Sequence, residues 1–370
     1  LVLFPIMPNT LCCGLAGLIA VRSDAPQPRG ADTAAIDPLV NVCETNGLAA
    51  ILGESTADAD VEAYLGGAGN LEDLLALTRL YKREAQFLSI YEAPDAQQHL
   101  AAVAERLERL IQQEKSALAE RMGRLDTLTA DIVLARQEQL RDAHWGLTTE
   151  LMDNIDSIRR LMSASDAAAP SAAVGVYRKI NAVLNSIDRL EVRGRDSAGI
   201  SLLFVLKDAA ANRFQERLGT TELKAEIEAR SGAKVLVNRG LSLMQGGAGD
   251  GRQLALTLTY KIAAEIGSLG DNIRFLRQQI TADKILSQLA ASDFTAFTVS
   301  SHTRWASVGA ISEPNCQPVD QTTAAGGPED LGIFHVCLNG DIDNYIELKS
   351  EAEKQGYRFH AAVTTDTKII

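Results

Sequence analysis

Between Glu72 and Met162 the apolar side chains recur at helical spacing, and this run sets the class of the chain before any other feature does. Leu107, Ile111, Leu118, Met122, Leu125 and Ile132 follow one another at three-, four- and seven-residue steps, with Glu, Arg and Gln between them. As a single helix, the segment from Ala96 to Ala135 would extend about 60 Å. A stripe of that length needs a helical partner, and Leu140, Leu147, Leu151, Ile155, Ile158 and Leu161 supply one as an antiparallel hairpin. The expectation is a coiled-coil-like arm that serves structure, partner docking or homo-oligomer contacts, rather than a ligand-binding bundle.

Strand-like segments flank the arm, which makes the chain α+β. The run "TLCCGLAGLIA" from Thr10 reads as a first strand after a short leader. Asp24 to Val40 holds three of the ten prolines and reads as a linker. "SDAAAPSAA", Ser165 to Ala173, is a second linker, and helix resumes from about Val174 to Leu190. "GISLLFVL" after it has strand length. A third helical block is expected from Gln253 to Ala290 on Leu254, Leu256, Ile262, Ile266, Ile273, Leu276, Ile280 and Leu286. Short strands "FTAFTVS" and "GIFHVCLNG" follow, then a helix "NYIELKSEAEKQG" closed by Gly356.

Composition excludes several functions. With 370 residues, 46% apolar and 23% charged, the chain has room for two or three globular domains. A net charge of -12 without a basic block argues against nucleic acid as a partner. Five cysteines, an odd number without ligand spacing, favour neither a disulfide framework nor a metal site, so a reducing cytoplasm is expected and no metal or cofactor is called for. The uncharged first 21 residues are interrupted by Pro5, Pro8, Asn9 and Thr10, so a buried strand is favoured over a membrane span or export signal. "QGGAGDGR", Gln245 to Arg252, matches neither glycine fingerprint for phosphates and reads as a surface turn.

Three loop segments carry chemistry: "RLEVRGRDSAGI" at 189–200, "SHTRWASVGAISEPNCQP" at 301–318 and "CLNGDIDNY" at 337–345. Arg193 and Arg304 offer planar forks suited to a carboxylate, although surface ion pairs use the same residues. Asn339-Gly340 sets an amide donor beside an unhindered backbone N–H, as in an oxyanion-stabilising pair, and is equally a turn signal.

Together and in this order these segments resemble the glutaminase domain of glutamine:fructose-6-phosphate amidotransferases, also called glucosamine-6-phosphate synthases. That family begins Cys-Gly-Ile-x-Gly, and Cys13 to Gly17 matches except at Leu15. Its Arg-Leu-Glu-Tyr-Arg-Gly-Tyr-Asp-Ser-Ala-Gly is matched by Arg189 to Gly199 except at Val192 and Arg195. Its His-Thr-Arg-Trp-Ala-Thr-His-Gly appears as His302 to Gly309, its Asn-Gly-x-x-x-Asn as Asn339 to Asn344, and its Thr-Asp-Thr as Thr365 to Thr367. His-Thr-Arg-Trp favours this family over purine or asparagine amidotransferases.

The resemblance implies an N-terminal nucleophile hydrolase: an αββα sandwich, here interrupted by long helical insertions. The α-amino group of Cys13 would act as base for its own thiol. The chemistry agrees, since an amine titrating at about 8 can assist a thiol at about 8.5, whereas a peptide nitrogen cannot. Residues 1–12 are therefore expected to be a removed leader or a misplaced start. By carry-over, Cys13 attacks the side-chain amide of glutamine, Asn339 and the Gly340 N–H hold the oxyanion, and Arg193 helps order the site. Arg304 would bind the substrate carboxylate and Asp366 its ammonium. Trp305 resembles the residue gating the ammonia path, and Ser307 keeps the hydroxyl of the family's Thr. His302 is expected to be a structural hydrogen-bonder.

The implied layout assigns 13–24, 175–204 and 284–370 to a glutaminase domain incomplete at its C-terminus. Residues 25–174 form a helical insertion, and 205–283 form a second, mainly helical one. Glutamine and a sugar phosphate, bound on domains beyond this chain, are the expected partners. Val308, Gln317, Leu338 and Thr364 depart from the family's three histidines and a glutamate, which bears on coupling to the acceptor. The alternative is a catalytically degenerate glutaminase-like module acting as a binding or scaffold protein through its helical arms.

Overall fold

The computed structural model describes residues 13–21, 30–51, 61–162, 171–218, 221–231, 235–246, 253–263, 268–322 and 334–370. The expected leader at 1–12, most of the Ser165 to Ala173 linker and the Gly247 to Arg252 stretch lie outside them. The chain divides into two compact units, one spanning Ala25–Ser157 and the other combining Leu1–Asp24 with Ile158–Ile370.

After strand β1 (Gly14–Val21), the helical unit runs through α1 (Asp37–Thr45), α2 (Leu48–Ile51), α3 (Gly67–Tyr81), α4 (Glu84–Glu92), α5 (Pro94–Arg121) and α6 (Thr127–Leu147). A π-helical turn at Thr148–Met152 leads into α7 (Asp153–Leu161). The single long helix expected over Ala96 to Ala135 is broken at Met122–Arg124, and α5 packs against α6. The reason is local: Gly123 weakens the helix, and the Asp126 carboxylate accepts from the Thr129 N–H at 2.9 Å, capping a new one. Leu107, Leu118, Leu140, Leu147 and Leu151 are all buried, while Met122 in the turn is exposed. Arg136 is buried there; it donates to the carbonyls of Val61, Glu62 and Tyr64 and pairs with the Glu62 carboxylate at 2.8 Å.

The other unit continues with α8 (Ser171–Leu190), β2 (Ser197–Lys207), α9 (Asp208–Leu218), α10 (Thr221–Ser231), β3 (Gly240–Gly246) and β4 (Gln253–Ala263). Then come α11 (Asp271–Thr281), α12 (Lys284–Ala290), β5 (Phe294–Arg304), the short pair β6 (Val319–Asp320) and β7 (His335–Val336), and α13 (Tyr345–Lys354). Five strands form one antiparallel sheet in the order β1-β5-β2-β4-β3. The architecture is thus α+β, helices with antiparallel sheet.

Gln253 to Ala263 is strand, not the start of a helical block. Leu254, Leu256, Leu258 and Tyr260 alternate onto one face and Thr257, Thr259 and Lys261 onto the other, all of them buried. Residues 205–283 accordingly hold two strands of the central sheet besides α9, α10 and α11.

The sheet has two unlike faces. Ala198, Ile200, Leu202 and Phe204 of β2 share one with Phe297 and Val299 of β5 and the β4 leucines. It packs against Ile180, Leu184 and Ile187 of α8 and Ile273, Leu276 and Ile280 of α11. Full burial of each such side chain contributes about 1.5–3 kcal/mol. The opposite face carries Ser197, Ser201, Thr257, Thr259, Lys261, His302 and Arg304. β7 lies over it, with His335 Nδ1 2.6 Å from the Ser201 hydroxyl. Among the described residues no helix is long and apolar enough to cross a membrane.

Candidate active site

Strand register gathers the chemistry at one end of the sheet. β5 runs between β1 and β2, antiparallel to both, and pairs Gly14 with Thr303 and Ser197 with Arg304. The start of β1, the start of β2 and the end of β5 therefore coincide, bringing Cys13 beside Arg304 and Trp305 across nearly three hundred residues of sequence. The Cys13 thiol is half-buried and points at the Trp305 carbonyl, 3.8 Å away. Gly194 makes room at this corner, because a Cβ there would lie 2.7 Å from the Arg304 carbonyl carbon. The Asp196 N–H donates to that same Arg304 carbonyl at 3.1 Å, and its carboxylate accepts from the Ala306 N–H at 2.7 Å.

Arg304 is 3% exposed, and burial holds its acidity above that of a free guanidinium. It donates to the carbonyls of Ala310 at 3.2 Å, Gly309 at 3.5 Å and Val308. No carboxylate among the described residues lies within ion-pair distance of it, and Asp366 and Asp196 act on its charge only from further away. Burial pushes the Cys13 thiol above its usual value; Arg304 opposes this and Asp341 adds to it.

A loop faces this corner. His302, fully buried, bonds the Leu338 carbonyl through Nε2 at 3.0 Å; since a carbonyl only accepts, Nε2 carries the proton. Burial lowers His302 to about 4, so it is neutral at pH 7. Asn339 and Gly340 follow, both exposed, with Gly340 at φ +144°, a conformation suited to glycine. Ser307 donates to the Asp341 carboxylate. The Asp366 carboxylate, 4% exposed, accepts from Ile342 N–H through Oδ2 and Thr367 N–H through Oδ1, both at 2.8 Å.

Of the residues singled out in the sequence, Cys13, Arg304 and Trp305 come together directly, and Ser307 and Asp366 are each bonded to the loop holding Asn339 and Gly340. Trp305 is 41% exposed at the mouth of this corner. Arg193 sits in a 3₁₀ turn, exposed, with no hydrogen bond or ion pair among the described residues. His302 is the hydrogen-bonder expected of it.

Three residues with structural weight, Asp196, Asn315 and Asp341, were not singled out, and a fourth, Gln317, was noted only as a departure from the family's histidine. Asn315 is fully buried; its amide donates to Ala310 O at 3.0 Å and the Thr364 hydroxyl at 2.9 Å, and its oxygen accepts from the Thr364 and Thr365 N–H groups. All four lie inside the three loop segments, and their polar side chains among glycines were the available signal. Among the described residues no group of three His, Cys, Asp or Glu side chains is arranged to hold a metal ion.

The chain is similar to curated glutamine–fructose-6-phosphate aminotransferases (isomerizing). It is 36% identical to that of Aquifex aeolicus over 87 residues, covering 24% of this chain and 13% of that protein. It is 41% identical to that of Thermus thermophilus over 69 residues, 19% of this chain and 10% of that protein. With that of Caulobacter vibrioides it shares 33% over 111 residues, 30% of this chain and 16% of that protein. The chain thus spans only 10% to 16% of the length of these relatives. No family model and no solved structure matches it. The similarity supports an amidotransferase-related domain.

Proposed function

We propose that this chain carries the glutamine-hydrolysing domain of an amidotransferase, with Cys13 as nucleophile. The observation that carries the reading is the half-buried Cys13 thiol at the start of an edge strand, beside a buried Arg304 with no carboxylate at ion-pair distance among the described residues. In this reading the αββα sandwich of N-terminal nucleophile hydrolases is built around the five-stranded sheet. Residues 13–24, 175–204 and 284–370 make up the domain, and 25–174 and 205–283 are insertions in it.

The Cys13 amine, once freed from residues 1–12, takes the thiol proton. Sulfur then attacks the side-chain carbonyl carbon of glutamine, and Asn339 with the Gly340 N–H stabilises the oxyanion. The Cys13 ammonium hands that proton to the leaving nitrogen, and collapse of the tetrahedral species expels ammonia, restores the amine and leaves a glutamyl thioester. Water attacks the thioester, releasing glutamate and restoring the thiol. Arg304 binds the α-carboxylate, Asp366 the α-ammonium, and Trp305 and Ser307 border the substrate; Arg193 helps order the site. The name of the relatives, glutamine–fructose-6-phosphate aminotransferase, supports a sugar phosphate, fructose 6-phosphate giving glucosamine 6-phosphate, as the ammonia acceptor.

The test is ammonia release from glutamine by the full-length protein and by Cys13→Ala, together with N-terminal sequencing of active material. The expected result is activity that tracks chains beginning at Cys13 and vanishes in the variant. Full activity on chains whose first residue is still Leu1 would refute the amine-as-base mechanism. The second reading, a degenerate module that binds partners through its helical arms, draws on the unengaged Arg193 and the upward push on the Cys13 thiol. Intact Leu1 with no ammonia release would favour it.

A further inference from the structure

Gln317 lies outside the proposed catalytic set, yet its side chain joins two parts of it. The Leu338 N–H donates to its Oε1 at 2.5 Å, and its Nε2 donates to the Thr367 hydroxyl at 2.8 Å. Thr367 N–H in turn donates to Asp366 Oδ1, and Asp366 Oδ2 accepts from Ile342 N–H. These bonds close a ring from Leu338 through Gln317, Thr367 and Asp366 to Ile342, with Asn339, Gly340 and Asp341 spanning the gap. Gln317, Asp366 and Thr367 are 3%, 4% and 1% exposed, so water is not at hand to replace a missing partner. His302 fixes the same residue from the sheet side by donating to the Leu338 carbonyl.

The sheet itself sets where Gln317 sits. His302, Gly199 and Lys261 lie side by side across β5, β2 and β4 on the polar face. Gly199 leaves a gap in this row that the Cys316–Gln317 backbone fills: a Cβ on Gly199 would be 2.2 Å from the Gln317 carbonyl oxygen and 3.1 Å from Cys316 Sγ. The glycine seats the backbone, and the seated backbone aims the amide at Leu338 and Thr367.

We propose that Gln317 is a positioning residue that holds the Asn339–Gly340 turn and the Asp366 carboxylate in one frame, so that oxyanion stabilisation and ammonium binding are set together. The proposal rests on the glutaminase reading for its chemistry and on the hydrogen-bond ring for its geometry. An amide is suited to the task because it offers one acceptor and one donor in a plane; leucine offers neither, and a neutral imidazole offers both.

The experiment compares the full chain with Gln317→Leu and Gln317→His in three measurements. Amide hydrogen exchange over residues 337–344 reads the frame, with α8 amides as the control for folding. Glutamine hydrolysis gives kcat and KM, and alkylation of Cys13 by iodoacetamide reads the thiol without using the oxyanion donors. In Gln317→Leu, exchange at Leu338 and Ile342 should rise together. The kcat should fall about 10- to 100-fold, short of the about 10²- to 10³-fold seen on deleting an oxyanion donor outright. KM for glutamine should rise and the alkylation rate stay unchanged, and Gln317→His should recover most of each loss. Exchange at Ile342 that does not change overturns the frame, and so does a kcat that survives in Gln317→Leu. Absence of glutamine hydrolysis in the unsubstituted chain refutes the glutaminase reading instead, and the exchange measurement still decides the frame.

Discussion

Acidification from pH 7 to pH 5 should destabilise the sheet unit through the fully buried His302 and the half-buried His335. Burial lowers both His302 and His335 to about 4, against an ordinary 6.5. For His302 the neighbouring Arg304 charge works in the same direction; for His335, Asp320 partly opposes the burial. The unfolded chain takes up a proton on each as pH falls through 6.5, and the folded chain does not until about 4. Stability is therefore present above 6.5 and is lost as pH falls toward 4. At pH 5 each histidine forfeits about 2 kcal/mol, from one and a half pH units at about 1.36 kcal/mol per unit. Two such losses are a large part of a typical domain's about 5–15 kcal/mol. Urea unfolding of a Trp145→Phe background, leaving Trp305 as the reporter, gives the measurement. His302→Gln keeps an amide N–H for the Leu338 carbonyl but does not titrate, so its stability should fall by about 2 kcal/mol less over the same interval. Parallel pH profiles for the two proteins would refute the reasoning, since they would mean that His302 takes up its proton as readily folded as unfolded.

Two further outcomes test the site's electrostatics and its scaffold. Asp341 raises the Cys13 thiol, so Asp341→Asn should shift the midpoint of the iodoacetamide alkylation profile to lower pH while Ser307 keeps an acceptor; a midpoint that stays or rises counts against it. Asn315→Ala leaves the buried Thr365 N–H and the half-buried Thr364 N–H without their acceptor, while Arg304 still donates to the Ala310 carbonyl; this should cost about 2 kcal/mol in urea unfolding, and a loss below about 0.5 kcal/mol would contradict the network.

What the sequence revealed follows from the range over which each feature acts. The helical arm was legible because its 3.6-residue period is local and repeats for many turns. Its break at Met122–Arg124 was not, since a single Gly123 weighs little until Asp126 is seen capping the next helix. β4 was misread because Leu254 and Leu256 were counted with isoleucines further along as a helical face, although the alternation from Leu254 to Tyr260 has period two. Cys13, Arg304, Asn339 and Asp366 stood out as candidates, being residue types whose reactivity, polarity or charge is intrinsic. Asn315 did not, and Gln317 did so only as a departure from the family's histidine, because each acts on groups about 20 to 50 residues away that only the fold brings near.

The alternation that builds the core also aims the site, and the two cannot be moved separately. In β5, Phe297 and Val299 face α8 and α11 while His302 and Arg304 face the loops, and the rest of β2 and β4 obeys the same parity. Shifting β5 by one residue would turn the Arg304 guanidinium and the His302 ring into the apolar layer beside Leu184 and expose Phe297, losing burial and stranding a charge together. The register that gives the sheet its stability is thus the one that sets Arg304 next to Cys13. Apolar residues such as Phe297, far from any proposed chemistry, hold the site's geometry as firmly as the polar ones that touch it.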